Sequence, residues 1–222
     1  MSQIKANKVV RIWDLPTRLF HWLLVLTVSV ALVTGLVAPA SWLVVHTYAG
    51  YAIVGLIVFR LVWGFFGGQF SRFRSFYYSP GRVIEHLRGL IRLRPQHYLG
   101  HNPSGAAMIL VLFLTLTGLT VTGLMAFEGE NKQGVLAGFL TYAMGHKAKE
   151  LHEPLAFALM AMVAVHIIGV AVDSRLVRQN LVAAMTTGNK YVPLGMSVAT
   201  AKPTRHLAAS ASLLLIAATA AP

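Results

Sequence analysis

The chain of 222 residues contains no cysteine. That absence excludes disulfides, thiolate-held iron–sulfur clusters and the C-x-x-C-H attachment of a c-type haem, so any haem here would be held without a covalent link. Charge is scarce as well: Asp, Glu, Lys and Arg make up 12% of residues, against roughly 25% in soluble domains. Acids are the rarest, seven against nineteen Lys and Arg, which leaves a formal charge of +12. No soluble basic domain with interleaved aromatic residues presents that charge, so nucleic acid is not an expected partner. Apolar residues are what the chain has in quantity, 56% of it, with a mean hydropathy of +0.63. A soluble chain of this length could not enclose so much apolar surface. Continuous apolar runs rather than period-two alternation therefore predict membrane-spanning helices.

Four runs reach the ~20 residues that a ~30 Å hydrocarbon layer requires: 19–37, 43–66, 104–127 and 152–172. The expected fold is all-α, an integral membrane four-helix bundle over residues 1–190 followed by a tail over 191–222. The first run ends near Ala38-Pro39-Ala40, which looks like a signal-peptidase site. Its apolar stretch is longer than the roughly 7–15 residues of a secretory signal, so an uncleaved helix is expected. Four spans place both ends on one side. Arg72, Arg74, Arg82, Arg88, Arg92 and Arg94 crowd the loop between the second and third runs, and Arg175, Arg178 and Lys190 follow the fourth. Lys and Arg excess marks the cytoplasmic side, which predicts a cytoplasmic N-terminus. Within the arginine-rich loop, 80–93 alternates apolar and charged residues at helical spacing, as an interfacial helix or a solvated loop would. The apolar stretch 207–221 is short for a span; a thin fifth membrane segment, an interfacial segment and a disordered end are all open, and we expect the first. No internal repeat is evident.

Of nine histidines, four fall in the spans, where ionisable groups are costly and usually face a functional interior. His21 and His166 lie near the inner ends of the first and fourth runs, and His46 and His152 near the outer ends of the second and fourth. His152 and His166 are fourteen residues apart, a helical rise of ~21 Å and a rotation about 40° short of four turns. They project from one face at heights that no single metal ion can bridge, so the pattern predicts two stacked sites, His21 with His166 and His46 with His152. Paired neutral imidazoles suit a low-spin haem iron and electron transfer rather than oxygen binding. Gly50 and Gly169, about one turn from His46 and His166, would leave room for a flat macrocycle. His86, His97, His146 and His206 are expected to be solvated. His101, just before the third run, is a candidate contact for a haem propionate or a quinone.

The segments Val10-Arg11-Ile12-Trp13-Asp14-Leu15-Pro16-Thr17-Arg18-Leu19-Phe20-His21-Trp22, His46 with Gly50, Arg60-Leu61-Val62-Trp63-Gly64 and Gly100-His101-Asn102-Pro103-Ser104-Gly105 form an ordered set. Leu151-His152-Glu153, His166-Ile167-Ile168-Gly169, Asn180-Leu181 and Met185-Thr186-Thr187-Gly188 complete it. Over roughly residues 9–190 the chain resembles the bacterial cytochrome b561 family, which includes the b-type subunits of nickel–iron hydrogenases. The resemblance implies two b haems held by His21, His46, His152 and His166, and electron exchange between the quinone pool and a periplasmic redox protein or dehydrogenase subunit. Arg60, Arg72 and His101 become candidate inner-face contacts for a propionate or quinone. Membrane lipid is the surrounding partner, and a homo- or hetero-oligomer is compatible with all of this. Two other readings are a superoxide oxidase that reduces ubiquinone, which the resemblance permits, and a haem-free membrane scaffold or transporter.

Overall fold

The computed structural model describes residues 7–132, 134 and 137–193. The apolar stretch 207–221 and His206 lie outside them. Six helices, α1 Leu15–Leu36, α2 Leu43–Phe66, α3 Pro80–Ile91, α4 Pro103–Asn131, α5 Tyr142–Leu176 and α6 Leu181–Thr187, are flanked by two short strands, β1 Asn7–Arg11 and β2 Asn189–Pro193. Helices α1, α2, α4 and α5 are each long and apolar enough to cross a membrane, which makes this a multi-pass membrane protein.

Three of the four long helices, α1, α4 and α5, begin at a side-chain cap. Asp14 caps α1, its Oδ1 accepting the Thr17 N–H at 2.9 Å, with Pro16 in the first turn. Asn102 caps α4 by accepting the Gly105 N–H at 2.6 Å, with Pro103 beside it. These side chains satisfy backbone donors that a helix start leaves free, and proline there costs nothing because its missing N–H has no partner to lose.

Helix α1 packs mainly on α2 and α4 on α5, with α2 meeting α4 between the pairs. Val28, Ile53, Ile57, Leu116, Leu119 and Leu159 form the buried layer at the centre. Large apolar side chains such as Leu26, Leu114, Ile167 and Ile168 face outward, where lipid is as apolar as they are. Burial alone therefore does little to hold the bundle, and close packing does more. At Gly129 and Gly145 the backbones of α4 and α5 come so near that a Cβ on either would meet the other helix within 3 Å.

Several expectations shift. Helix α5 starts at Tyr142, ten residues before the apolar run, so His146, Lys147, Lys149 and Glu150 lie on a helical extension of the fourth run. His146 there approaches Glu130 and Glu150 at 3.4 and 3.6 Å. Its 35 residues span ~52 Å, well beyond one hydrocarbon layer. Helix α3 does form over most of the predicted stretch, but His86 on it is not solvated: it is 4% exposed and its Nδ1 meets Ser104 Oγ at 2.9 Å, because α3 lies against the start of α4. The strands were not anticipated. They pair antiparallel, with Val9 opposite Tyr191, and tie the first described residues to the last.

Candidate functional site

The structure brings His46 and His152 together from α2 and α5, with ring centroids 6.1 Å apart and ring planes at 84°. The His46 Nδ1 lies 2.9 Å from the Ala31 carbonyl and 3.4 Å from Thr34 Oγ1, both on α1. A carbonyl can only accept, so His46 carries its proton on Nδ1 and keeps the Nε2 lone pair free. The His152 Nδ1 lies 3.1 Å from Thr122 Oγ1 on α4, with the Leu119 carbonyl as a further acceptor. The Thr122 hydroxyl already donates to the Gly118 carbonyl at 2.8 Å, so its oxygen accepts from His152, again leaving Nε2 free. Two metal–nitrogen bonds of roughly 2 Å, with about 1.1 Å from each nitrogen to its ring centre, need a centroid separation of about 6 Å. His46 and His152 are thus spaced as two imidazoles would be that hold one haem iron between them.

Two glycines make the fit possible. A Cβ at Gly35 would sit 2.8 Å from His46 Cε1, and one at Gly123 would sit 3.0 Å from His152 Cε1. At Gly50 and Gly169, the glycines expected to clear space, a Cβ would enter open room. Sequence reasoning missed Gly35 and Gly123 although a signal was present: Val33-Thr34-Gly35-Leu36 recurs as Val121-Thr122-Gly123-Leu124.

His21 and His166 sit at the other end of the bundle, each half-buried and within electrostatic range of one another. His166 is also within range of His101. The His21 ring stands edge-on to Trp22 at 5.0 Å, and its Nδ1 is enclosed without a partner. Arg60, 6% exposed, lies over Phe73 at 4.8 Å and Phe76 at 5.6 Å, with Nη1 unpartnered. His101 packs on Trp13 at 4.6 Å and Phe76 at 5.0 Å. Its Nδ1 is sealed from solvent and unpartnered, although part of the residue reaches the surface. Burial first, then the nearby positive charges of Arg60 and Lys190, pushes the His101 pKa down to about 3, so it is neutral at physiological pH. Arg72, by contrast, is bound to the Gly67 carbonyl through its Nε.

Among the described residues the buried side-chain atoms without a hydrogen-bond partner are Arg18 Nε, His21 Nδ1, Arg60 Nη1, His86 Nε2, His101 Nδ1 and Asp173 Oδ1. All belong to the end of the bundle that carries β1 and β2. Each such group costs ~1–3 kcal/mol when left unmet, and the two positively charged members suit an anionic carboxylate. No group of three His, Asp or Glu among the described residues could hold a bare metal ion, which leaves paired imidazoles as the metal-binding chemistry on offer.

Residues 12–188 match the family model described as prokaryotic cytochrome b561. The chain belongs to that family. This cytochrome is thus a b-type cytochrome of the membrane, its haem b non-covalently held, and an electron-transfer protein. Among curated proteins it is similar to one from Rhodobacter capsulatus named "Probable Ni/Fe-hydrogenase B-type cytochrome subunit", 24% identical over 86% of this chain and 84% of the relative. A Cupriavidus necator protein of the same name is 26% identical over 83% and 88% of the two chains. The Escherichia coli K12 protein named "Probable Ni/Fe-hydrogenase 1 B-type cytochrome subunit" is 25% identical over 68% and 77%. No solved structure matches.

Proposed function

We propose that this cytochrome is the di-haem membrane subunit of a hydrogenase-type complex, passing electrons between a dehydrogenase partner at the outer face and quinone at the inner face. The observation that carries the reading is the His46–His152 pair, 6.1 Å apart with both Nδ1 atoms engaged and both Nε2 lone pairs free. His46 and His152 would hold the outer haem, and His21 and His166 the inner one. Haem b, when bound, would supply reversible one-electron storage.

The chain's own residues do the rest. The apolar layer of Val28, Ile53, Ile57, Leu116, Leu119 and Leu159 separates the two histidine pairs and keeps water and protons from crossing with the electron. Arg60 offers a desolvated positive charge beside His101, at the end of the bundle that carries the inner pair, where it would bind a haem carboxylate and hold the inner site's potential up. His101, neutral and sealed, would supply a hydrogen-bond donor to the same carboxylates or to a quinone oxygen. The arginine-rich α2–α4 loop and the strands β1 and β2 belong on the cytoplasmic side of the inner membrane by the positive-inside bias. The relatives' names support a hydrogenase as the dehydrogenase partner.

Pyridine haemochrome assay of the purified protein, with optical spectra of the intact protein beside it, tests this directly: two haems per chain are expected in wild type and one in His166→Ala, with the inner haem's spectrum the one lost. A wild-type content near zero, or a His166→Ala variant that keeps both, overturns the reading.

A further inference from the structure

The repeated Val-Thr-Gly-Leu segment lies on α1 and on α4, and in both places it faces a histidine of the neighbouring helix. The correspondence runs atom by atom. Thr34 Oγ1 donates to the Val30 carbonyl at 2.7 Å and Thr122 Oγ1 to the Gly118 carbonyl at 2.8 Å, each four residues earlier. With its proton spent on the backbone, each hydroxyl turns a lone pair towards an imidazole Nδ1, His46 in one case and His152 in the other. The carbonyl three residues before each threonine, Ala31 or Leu119, is the companion acceptor. The glycine after each threonine lets the ring edge approach to a distance that a methyl group would contest.

We infer that this duplicated turn is a histidine-positioning element, with Thr34 and Thr122 as positioning residues that fix the tautomer and plane of the outer ligand pair and lower the outer haem's reduction potential. The inference rests on His46 and His152 being the iron ligands. An acceptor on Nδ1–H pushes electron density towards Nε2, makes the imidazole a stronger donor and favours the ferric state. Hydroxyls buried in the bundle do this in a low-dielectric setting, where the bond is electrostatically stronger than in water.

The two halves are not equal, and that inequality gives the test its edge. For His46 the shorter contact is to a backbone carbonyl, 2.9 Å against 3.4 Å to Thr34. For His152 the hydroxyl of Thr122 at 3.1 Å is the side-chain acceptor a substitution can remove. Thr122→Val should therefore matter more than Thr34→Val.

The experiment is a potentiometric titration of the purified holoprotein, following the two haem signals separately in wild type, Thr122→Val, Thr122→Ser, Thr34→Val and His152→Ala. Thr122→Val should raise the outer haem's potential by about tenfold in the reduction equilibrium, about 59 mV for one electron, while leaving the inner haem in place. Thr122→Ser should stay at the wild-type value, and Thr34→Val should shift less than half as far. If Thr122→Val does not retain haem, Thr122→Ala against Thr122→Ser makes the same comparison. An unchanged outer potential in Thr122→Val or Thr122→Ala, equal shifts in the two threonine variants, or a Thr122→Ser variant displaced like valine would each overturn the inference. His152→Ala separates the two levels of argument. If it keeps the outer haem, the ligand assignment itself fails. If it loses that haem while Thr122→Val moves nothing, only the positioning role fails.

Discussion

The imidazoles of His46 and His152 stand nearly perpendicular, at 84°, across a gap of 6.1 Å. Their orientation is set from outside the pair, because each Nδ1 is tied to a different helix, His46 to α1 and His152 to α4. Axial imidazoles with crossed planes leave the ferric iron's d orbitals close in energy. The oxidised outer haem should accordingly give a strongly anisotropic low-spin electron paramagnetic resonance signal. That signal should vanish in His46→Ala while the inner haem's remains. A wild-type spectrum showing only the rhombic pattern of parallel ligands would contradict the ring geometry.

Gly35 bears on the same gap. A methyl group there would come 2.8 Å from His46 Cε1, and the ring cannot retreat without giving up the Ala31 carbonyl. Gly35→Ala is expected to weaken outer-haem retention roughly tenfold, as disturbing the hydrogen-bond partner of a metal-binding histidine commonly does, with inner-haem content unaffected. Gly123→Ala, with its nearest approach at 3.0 Å, should show the same loss in milder form. Haem-to-protein ratios after gel filtration would reveal whether the order is reversed.

Arg60 is a buried cation held between two phenylalanine rings with one guanidinium nitrogen unmet. Removing a charge from a desolvated position costs the reduced haem an interaction on the order of 1 kcal/mol. Arg60→Gln should therefore lower the inner haem's potential, roughly fivefold in the reduction equilibrium, and leave the outer haem unmoved. A redox titration in which both haems shift together, or neither does, would show Arg60 to be a packing residue only.

His101 predicts how the inner end responds to acid. Its pKa falls from the ordinary 6.5 to about 3 because it is buried beside Arg60, Lys190 and His166. Above pH 6.5 neither the folded nor the unfolded chain holds the proton, so this group adds no pH dependence there. Below that, the unfolded chain takes up a proton that the folded one refuses, and stability falls progressively towards pH 3. Thermal unfolding in detergent should show a lower midpoint at pH 5 than at pH 7.5, with a smaller drop in His101→Gln. Equal drops in the two proteins would assign the acid sensitivity elsewhere.

The long helices were legible because a hydrocarbon layer demands a length of apolar chain that hydropathy reads directly, and α2 occupies 43–66 as expected. Hydropathy cannot see helix outside lipid, which is why the polar turns of α5 from Tyr142 onward were missed. The pairing of His46 with His152 followed from depth alone. What holds those rings did not, since a tetrapeptide recurring once is a faint signal until two helices place both copies against histidines. His86 was misjudged because burial of a loop-region histidine depends on how α3 folds back onto α4, a tertiary fact with no local signature. The ribbon of β1 and β2 joins five-residue strands from opposite ends of the described sequence, and its pairing has no local echo in either strand.

That ribbon also dictates an order of assembly. The N-terminal strand emerges first, yet its partner at 189–193 is among the last described residues to be made. Asp14 can cap its helix at once, but its bonds to Gly68, Ser71 and Trp63 must wait for the second span. The backbone bonds from Ile12 and Trp13 to Gly188 must wait for all four. The end of the bundle that holds His21 and His166 thus stays unlatched until the last described residues are made, which under the proposed function would leave that histidine pair open to late delivery of a haem.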